Sequence, residues 1–248
     1  MIFGIGLHVL VALFFAVHAI RSGQQLYWLL ILFSFPLFGS VVYFVAIYLP
    51  NSRLQHSAGK VVNAAAKALD PGRELREARE AFDYTPTAQN QMRLASAQME
   101  AGATADAAAT YEACLQGAFA SDLEIRYGAA RATLACGRAA DTIAHLDRIR
   151  RSDVNFRAEQ VSLLLAQALA AAGRQQEAKG EFEFALSRFG SFAARAEFAI
   201  WAANSGDRAL AQQLQPELQR TLERWNRHTR GMNVEMLRRL ERAGIPTR

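Results

Sequence analysis

Four glycines recur at an almost constant interval, and this feature constrains the fold of the chain more than any other. The intervals are 35, 36 and 33 residues, and the glycines are Gly102, Gly137, Gly173 and Gly206. Alanine stands seven residues before each of them, at Ala95, Ala130, Ala166 and Ala199. A period of this length indicates a stack of similar helical units, in which small residues let paired helices approach closely.

The pattern continues after each glycine. A small residue stands five positions later, at Ala107, Thr142, Ala178 and Ala211, and a large apolar one follows nine positions after the first three, at Tyr111, Leu146 and Phe182. This arrangement resembles the tetratricopeptide repeat (TPR), a helix-turn-helix unit of about 34 residues. The resemblance covers Gln89 to Leu222 and implies an all-α fold with a TPR-like right-handed helical solenoid. We therefore expect four TPR-like repeats over residues 88–222.

The fourth repeat departs from the pattern. Gln215 falls where a large apolar residue is expected, so Leu214 takes that place, and Pro216 falls within the second helix of this unit. The segment that follows contains apolar residues among many arginines, which predicts a capping helix over 223–248 with one polar face.

A helical connector is expected over residues 51–87. Its first part, 52–69, carries Arg53, Lys60 and Lys67 at seven-residue intervals. Such a helix can lie on an anionic membrane surface or can simply be solvated. Asp70, Pro71 and Gly72 end it, and a shorter charged helix is expected over 74–82.

The first fifty residues contain a single charged side chain, that of Arg21. They comprise two uncharged runs, 2–20 and 26–49, of 19 and 24 residues. At about 1.5 Å per residue either run is long enough for a hydrocarbon core of about 30 Å. We therefore predict a two-helix transmembrane hairpin over 1–50, with a kink at Pro36; a cleaved signal peptide is the alternative for the first run.

The spacing of Trp28, Pro36, Gly39 and Tyr43 after a hydrophobic first span resembles the N-terminal membrane domain of bacterial cardiolipin synthases of the phospholipase D superfamily. The resemblance implies a bacterial inner-membrane, multi-pass protein. Those enzymes rely on paired H-x-K-x-x-x-x-D motifs, and no histidine of this chain has lysine two residues later. The resemblance therefore extends to the anchor and not to the chemistry.

The basic residues after the second run outnumber the single one in the hairpin loop, which by the positive-inside tendency places both termini and the solenoid in the cytoplasm. His8 and His18 lie within or at the edge of the first run. An ionisable residue there is either part of an intramembrane site or a neutral histidine bonded within the hairpin.

The formal charge of +5 comes from basic residues interleaved with acidic ones, so we do not expect nucleic-acid binding. No catalytic motif, phosphate-binding loop or metal-ligand spacing is present, so we expect no catalysis, no cofactor and no metal. Cys114 and Cys136 are expected to be reduced in a cytoplasmic domain, whereas in a periplasmic domain the two could pair. The sequence does not indicate an oligomeric state.

We therefore predict a membrane-anchored scaffold that binds a protein or peptide in the concave groove of a cytoplasmic solenoid. The TPR resemblance implies the groove positions Gln89, Met92, Arg93, Ser96, Tyr127, Arg131, Gln160, Leu163 and Gln167. Tyr127 and Arg131 are one helical turn apart and form the pair most typical of interface hot spots; ordinary solenoid surface is the alternative. Two other functions stay open: an accessory subunit of an envelope lipid or lipopolysaccharide pathway, and a membrane enzyme that uses His8 or His18.

Overall fold

A computed structural model describes residues 2–22, 25, 27–44, 47, 70 and 72–247, without the side chains of residues 2–10, 36 and 37. The described residues contain helices and no strands, so the fold is all-α as predicted. The chain divides into two compact units, Met1–Arg73 and Glu74–Arg248. Most of the predicted connector helix, residues 51–69, lies outside the described residues.

The first unit contains three described helices: α1 (Ile2–Arg21), α2 (Tyr27–Ser34) and α3 (Pro36–Tyr43). They pack around Phe15, Trp28 and Tyr43, whose side chains are buried together with Leu32 and Ala19. The rings of Trp28 and Tyr43 meet edge to face, with 5.4 Å between their centroids. This small aromatic core holds the three helices together.

The second uncharged run does not form the single bent helix that the sequence predicted over 26–49. Its described residues contain two α-helices of eight residues each, and Phe35 between them has φ −136° and ψ 75°. Proline lacks a backbone N–H and disfavours helical geometry in the preceding residue, so Pro36 begins a new helix after the interruption. Within the described residues, no helix combines the length and the apolar sequence needed to cross a membrane.

The second unit is a succession of helices that pack in antiparallel pairs. After α4 (Arg73–Tyr84) come the pairs α5 (Ala88–Glu100) with α6 (Thr104–Cys114), α7 (Leu123–Ala135) with α8 (Ala139–Ser152), α9 (Ala158–Ala171) with α10 (Gln175–Phe189), and α11 (Phe192–Ser205) with α12 (Arg208–Glu223). The TPR-like helix pairs predicted from the glycine period are therefore present.

The four periodic glycines end the first helix of each pair. Their φ angles are +79°, +82°, +78° and +85°, in the left-handed region where glycine has no steric penalty. Each turn reverses the chain in a few residues, and the four alanines seven positions earlier are fully buried where the paired helices meet. The period in the sequence is thus the period of the helix pairs.

The fourth pair keeps the same arrangement despite its irregular sequence. Leu214 is buried and Gln215 is only partly covered, which confirms that the apolar position is shifted by one residue. Pro216 lies inside α12, and the helix continues through it.

The C-terminal segment forms two short helices, α13 (Arg227–Met232) and α14 (Val234–Arg242), where the sequence predicted one capping helix over 223–248. The side chain of Asn226 accepts a hydrogen bond from the Thr229 N–H, so a new helix starts after the end of α12. Leu240 on α14 is fully buried in the core that contains Phe198 of α11. The segment therefore does cover the last helix pair.

Candidate peptide-binding groove

The first helices of successive pairs contact one another, α5 with α7, α7 with α9, and α9 with α11. They form a continuous row, and the exposed residues on them share one surface. We call this surface the groove. Its far end is bounded by α14, which packs against α11.

The structure places most of the predicted groove residues at the surface. Gln89, Arg93, Ser96, Arg131 and Gln160 are exposed, and Met92, Tyr127 and Gln167 are partly exposed. Leu163 is the exception, because only 8% of it is exposed and it belongs to the core shared with α11. The next helix pair covers this side chain, so Leu163 stabilises the stack and cannot contact a ligand there.

At the start of the groove, Arg93 is already neutralised. Its guanidinium lies 3.0 Å from a Glu74 oxygen and 3.7 Å from a Glu77 oxygen, both on α4. The partly buried Leu75 and Phe82 of α4 pack on the same cluster as Leu94 of α5. The helix before the first pair thus occupies part of the surface that the sequence assigned to a ligand.

In the middle of the groove, Tyr127 and Arg131 lie close together as predicted. Burial raises the pKa of the Tyr127 phenol above 10.0, and the positive charges of Arg131 and Arg157 lower it by less. The Arg157 guanidinium stands over the Tyr127 ring, 5.4 Å from its centroid, and is ion-paired with Glu124 at 2.9 Å. The phenol therefore stays protonated at neutral pH and can donate a hydrogen bond.

Tyr111 of α6 also lies beside this region. A Cβ atom on Gly128 would come within 2.5 Å of the Tyr111 ring, so the absence of a side chain there lets the ring lie against α7. Burial raises the pKa of Tyr111, while Arg131 and a hydrogen bond with Ser96 lower it by less. Arg131 is thus close to two neutral phenols, on α6 and α7.

At the far end of the groove a cleft of about 280 Å³ opens between the third and fourth pairs. Its lining is contributed by Gln167, Ala170, Gln175, Phe182, Glu197, Ile200, Trp201, Asn204, Ser205 and Arg239. Of these, only Gln167 was predicted. The 33-residue interval between Gly173 and Gly206, applied to Gln167, leads to Ile200, so the period could have extended the prediction to the fourth pair.

Trp201 forms one wall of the cleft and is held in place on two sides. Its ring lies 5.7 Å from Phe182 and 5.8 Å from Phe198, measured between centroids. Its indole N–H donates a hydrogen bond of 3.0 Å to the Gln175 side chain. A fixed tryptophan beside an apolar recess is a favourable anchor point for a partner side chain.

A partly buried ion pair closes the end of the cleft. The Arg239 guanidinium of α14 donates two hydrogen bonds, of 2.5 and 2.6 Å, to the carboxylate of Glu197 on α11. Glu197 is almost fully buried, and the paired geometry compensates for the cost of removing its charge from water. The capping helix therefore contributes to the cleft as well as to the core.

The chain matches no protein-family model and no curated protein sequence. The solved structures to which it is similar include the following two. One is described as "MamA MSR-1 C2", with 18% sequence identity over 62% of this chain and 87% of that chain, and a TM-score of 0.46. The other is YrrB, described as a TPR protein with an unusual peptide-binding site, with 16% identity over 67% and 91% and a TM-score of 0.42.

A second cleft, of about 270 Å³, lies between α8, α9 and α10. Two of its charged side chains bind each other: Arg150 pairs with Glu181 and also donates a hydrogen bond of 2.9 Å to Ser162. The guanidinium of Arg188, which also lines this cleft, lies 5.7 Å from the centroid of the Phe189 ring. Throughout the described part of the chain, no group of three His, Cys, Asp or Glu side chains has the geometry to hold a metal ion.

In the first unit, three residues of the predicted membrane-domain motif lie close together. Trp28 contacts Tyr43, and Gly39 lies so near to α2 that a Cβ atom would be 2.6 Å from the Ile31 carbonyl oxygen. The His18 ring nitrogen Nδ1 is 3.0 Å from the Tyr43 hydroxyl, so this histidine is bonded within the unit. The side chains of Pro36 and His8 lie outside the described residues.

Proposed function

We propose that this chain is an adaptor that binds a segment of another protein along the groove and performs no catalysis itself. The cleft beside Trp201 is the observation that carries the proposal, because it provides an open apolar recess with polar groups at its rim. The side chains of Gln167, Asn204 and Ser205 can bond to the backbone of a bound segment.

The length of the groove favours an elongated ligand. Exposed polar residues continue from the cleft along α9 and α7 to α5, so contacts are available over the full row of first helices. Tryptophan, tyrosine and arginine are also the residue types that dominate the energetics of protein interfaces. A small metabolite would use only one part of this surface.

Site-specific photocrosslinking tests the proposal. Benzoylphenylalanine at Asn204, on the rim of the cleft, is expected to give a discrete protein adduct in cells. The same amino acid at Gln213, exposed on α12, serves as the matched control and is expected not to give this adduct. A second substitution, Gln167→Trp, should fill the cleft and remove the Asn204 adduct. Equal adducts from both positions would contradict the proposal.

Membrane anchoring by the first unit is part of the same proposal. It is supported by the nearly uncharged sequence of the first fifty residues and by exposed apolar side chains on α1, α2 and α3, among them Phe14, Leu30, Phe33 and Phe38. Extensive exposed apolar surface is typical of contact with lipid or another protein. For an accessory role in an envelope lipid pathway, the support is the resemblance of this segment to the membrane domain of cardiolipin synthases.

Cysteine labelling tests the anchoring and its orientation. The variant Gln213→Cys introduces one exposed thiol into a chain whose Cys114 and Cys136 are replaced by Ala. We expect the protein to remain with membranes after alkaline extraction, and the introduced thiol to react with an impermeant reagent only after the inner membrane is opened. Extraction into the soluble fraction would overturn the anchor, and labelling in cells with an intact inner membrane would overturn the cytoplasmic orientation.

A further inference from the structure

Arg131 differs from the other arginines along the groove in its electrostatic environment. Arg93, Arg157 and Arg239 each form an ion pair with a glutamate. Among the residues that the structure describes, no acidic side chain forms an ion pair with Arg131, and its side chain is exposed. The middle of the groove therefore carries a positive charge that the protein itself does not neutralise.

The groups around Arg131 are suited to bind the oxygens of an anion. Tyr127 lies one helical turn before Arg131 on α7, and the Tyr111 ring lies against the same helix at Gly128. Hydroxyl groups beside a guanidinium can donate hydrogen bonds to the same carboxylate, and such charge-assisted bonds are stronger than neutral ones. Gly128 makes this arrangement possible, because any side chain there would displace the Tyr111 ring.

Arg131 also has a fixed position relative to the Trp201 cleft. Arg131 on α7, Gln167 on α9 and Ile200 on α11 recur at intervals of 36 and 33 residues, which are the intervals of the helix pairs. With neighbouring helix axes about 10 Å apart and about 3.3 Å per extended residue, roughly six residues of a bound segment separate the two places.

Building on the function proposed above, we infer that the groove selects an acidic peptide segment, whose carboxylate binds Arg131 beside Tyr111 and Tyr127, and whose apolar side chain about six residues away enters the cleft beside Trp201. Within the described part of the chain, Arg131 is one unpaired cation in a row of mostly neutral residues, so it can pair with one carboxylate of the bound peptide. Nucleic acid requires a series of cations for its successive phosphates, and the groove does not provide one.

Peptide selection tests this inference on the full-length chain. A displayed library of random dodecapeptides is selected in parallel on the unmodified chain, on Arg131→Gln and on Arg151→Gln. Arg151 is an exposed arginine on α8, a second helix, so this control removes the same charge away from the groove. We expect enrichment of Asp and Glu on the unmodified chain and on Arg151→Gln, and loss of this enrichment on Arg131→Gln.

The best peptide is then synthesised with its acidic residue intact or changed to the amide. We expect the amide peptide to bind the unmodified chain about tenfold more weakly, and both peptides to bind Arg131→Gln equally. Enriched peptides without acidic residues that are displaced by Gln167→Trp would overturn the inference and leave the proposed function intact. Absence of any enrichment would overturn both.

Binding to vesicles that contain phosphatidylglycerol is measured with the same variants. If Arg131→Gln lowers vesicle binding while the acidic preference of the peptides is unchanged, the charge belongs to a lipid contact and the inference is overturned. Unchanged vesicle binding with loss of the acidic preference supports it.

Discussion

Glycine has two opposite effects on stability in this chain, and the difference is visible at single residues. Gly102 ends α5 with φ +79°, a conformation that costs any other residue conformational energy. Gly180 lies inside α10 with open space where a Cβ would be. A side chain at position 180 would clash with no atom of the folded protein, and it would reduce the conformational freedom of the unfolded chain.

We therefore expect Gly180→Ala to raise the free energy of unfolding by about 0.5–1 kcal/mol, because alanine favours the helix interior over glycine. The same change at Gly102 is expected to lower it by about 1–2 kcal/mol. Urea denaturation of the full-length chain, followed by circular dichroism, checks both values. Changes of equal sign would contradict this account of the two positions.

His145 gives a second prediction at the residue scale. Burial lowers its pKa below 6.5, and this effect outweighs the opposing influence of Glu112, while Arg126 lowers the pKa further and Asp141 raises it. Well above pH 6.5 the ring is neutral in both the folded and the unfolded state. As the pH falls, the unfolded chain takes up the proton first, so folding loses stability from pH 6.5 downwards.

His145→Gln removes this titration. Between pH 7 and pH 5 we expect the unmodified chain to lose more unfolding free energy than the variant, as measured by urea denaturation at several pH values. If both lose the same amount, His145 is not held in its neutral form by its surroundings.

The sequence predicted single residues correctly where local helical spacing decides their position, and incorrectly where a helix distant in sequence decides their exposure. Tyr127 and Arg131 were predicted together because helical spacing alone brings residues four apart to one face. Leu163 was assigned to the groove and proved buried, because its exposure is decided by α11, which is distant in sequence. Trp201 was missed because the predicted groove positions ended at the third repeat, although the period extends them to its neighbour Ile200 in the fourth.

At the scale of helices, the glycine period predicted the four pairs, since a left-handed turn every 35 residues or so leaves few other folds. Interruptions were harder to predict. The sequence indicated a kink at Pro36, but whether the helix bends or restarts depends on the packing of α3 against α1 and α2. Likewise, the break at Asn226 depends on a capping hydrogen bond within a segment that has no strong turn signal.

The capping helix α14 gives a prediction at this scale. Leu240 is fully buried, whereas Met232 on α13 is 72% exposed. We expect Leu240→Ala to lower the free energy of unfolding by about 2–5 kcal/mol, because it leaves a cavity against Phe198. Met232→Ala is the matched control, with an expected change within about 0.5 kcal/mol. Similar losses in both variants would show that α14 does not dock through Leu240.

At the scale of the whole molecule, each unit carries a different part of the proposed function. In a stack of repeats each pair contacts only its neighbours, so the exposed faces of the first helices are left available along the whole row. The sequence was sufficient to predict this row. The sequence could not predict which charges of the groove are neutralised, because three of the groove's arginines form ion pairs with glutamates on other helices.

Hydrogen exchange of the full-length chain, with and without the most strongly enriched dodecapeptide, tests the central claim most directly. We predict added protection in α7, α9 and α11, where the first helices line the groove, and none in the second helices α8 and α10. Protection centred on α8 and α10, or on the first unit, would contradict a peptide-binding role for the groove.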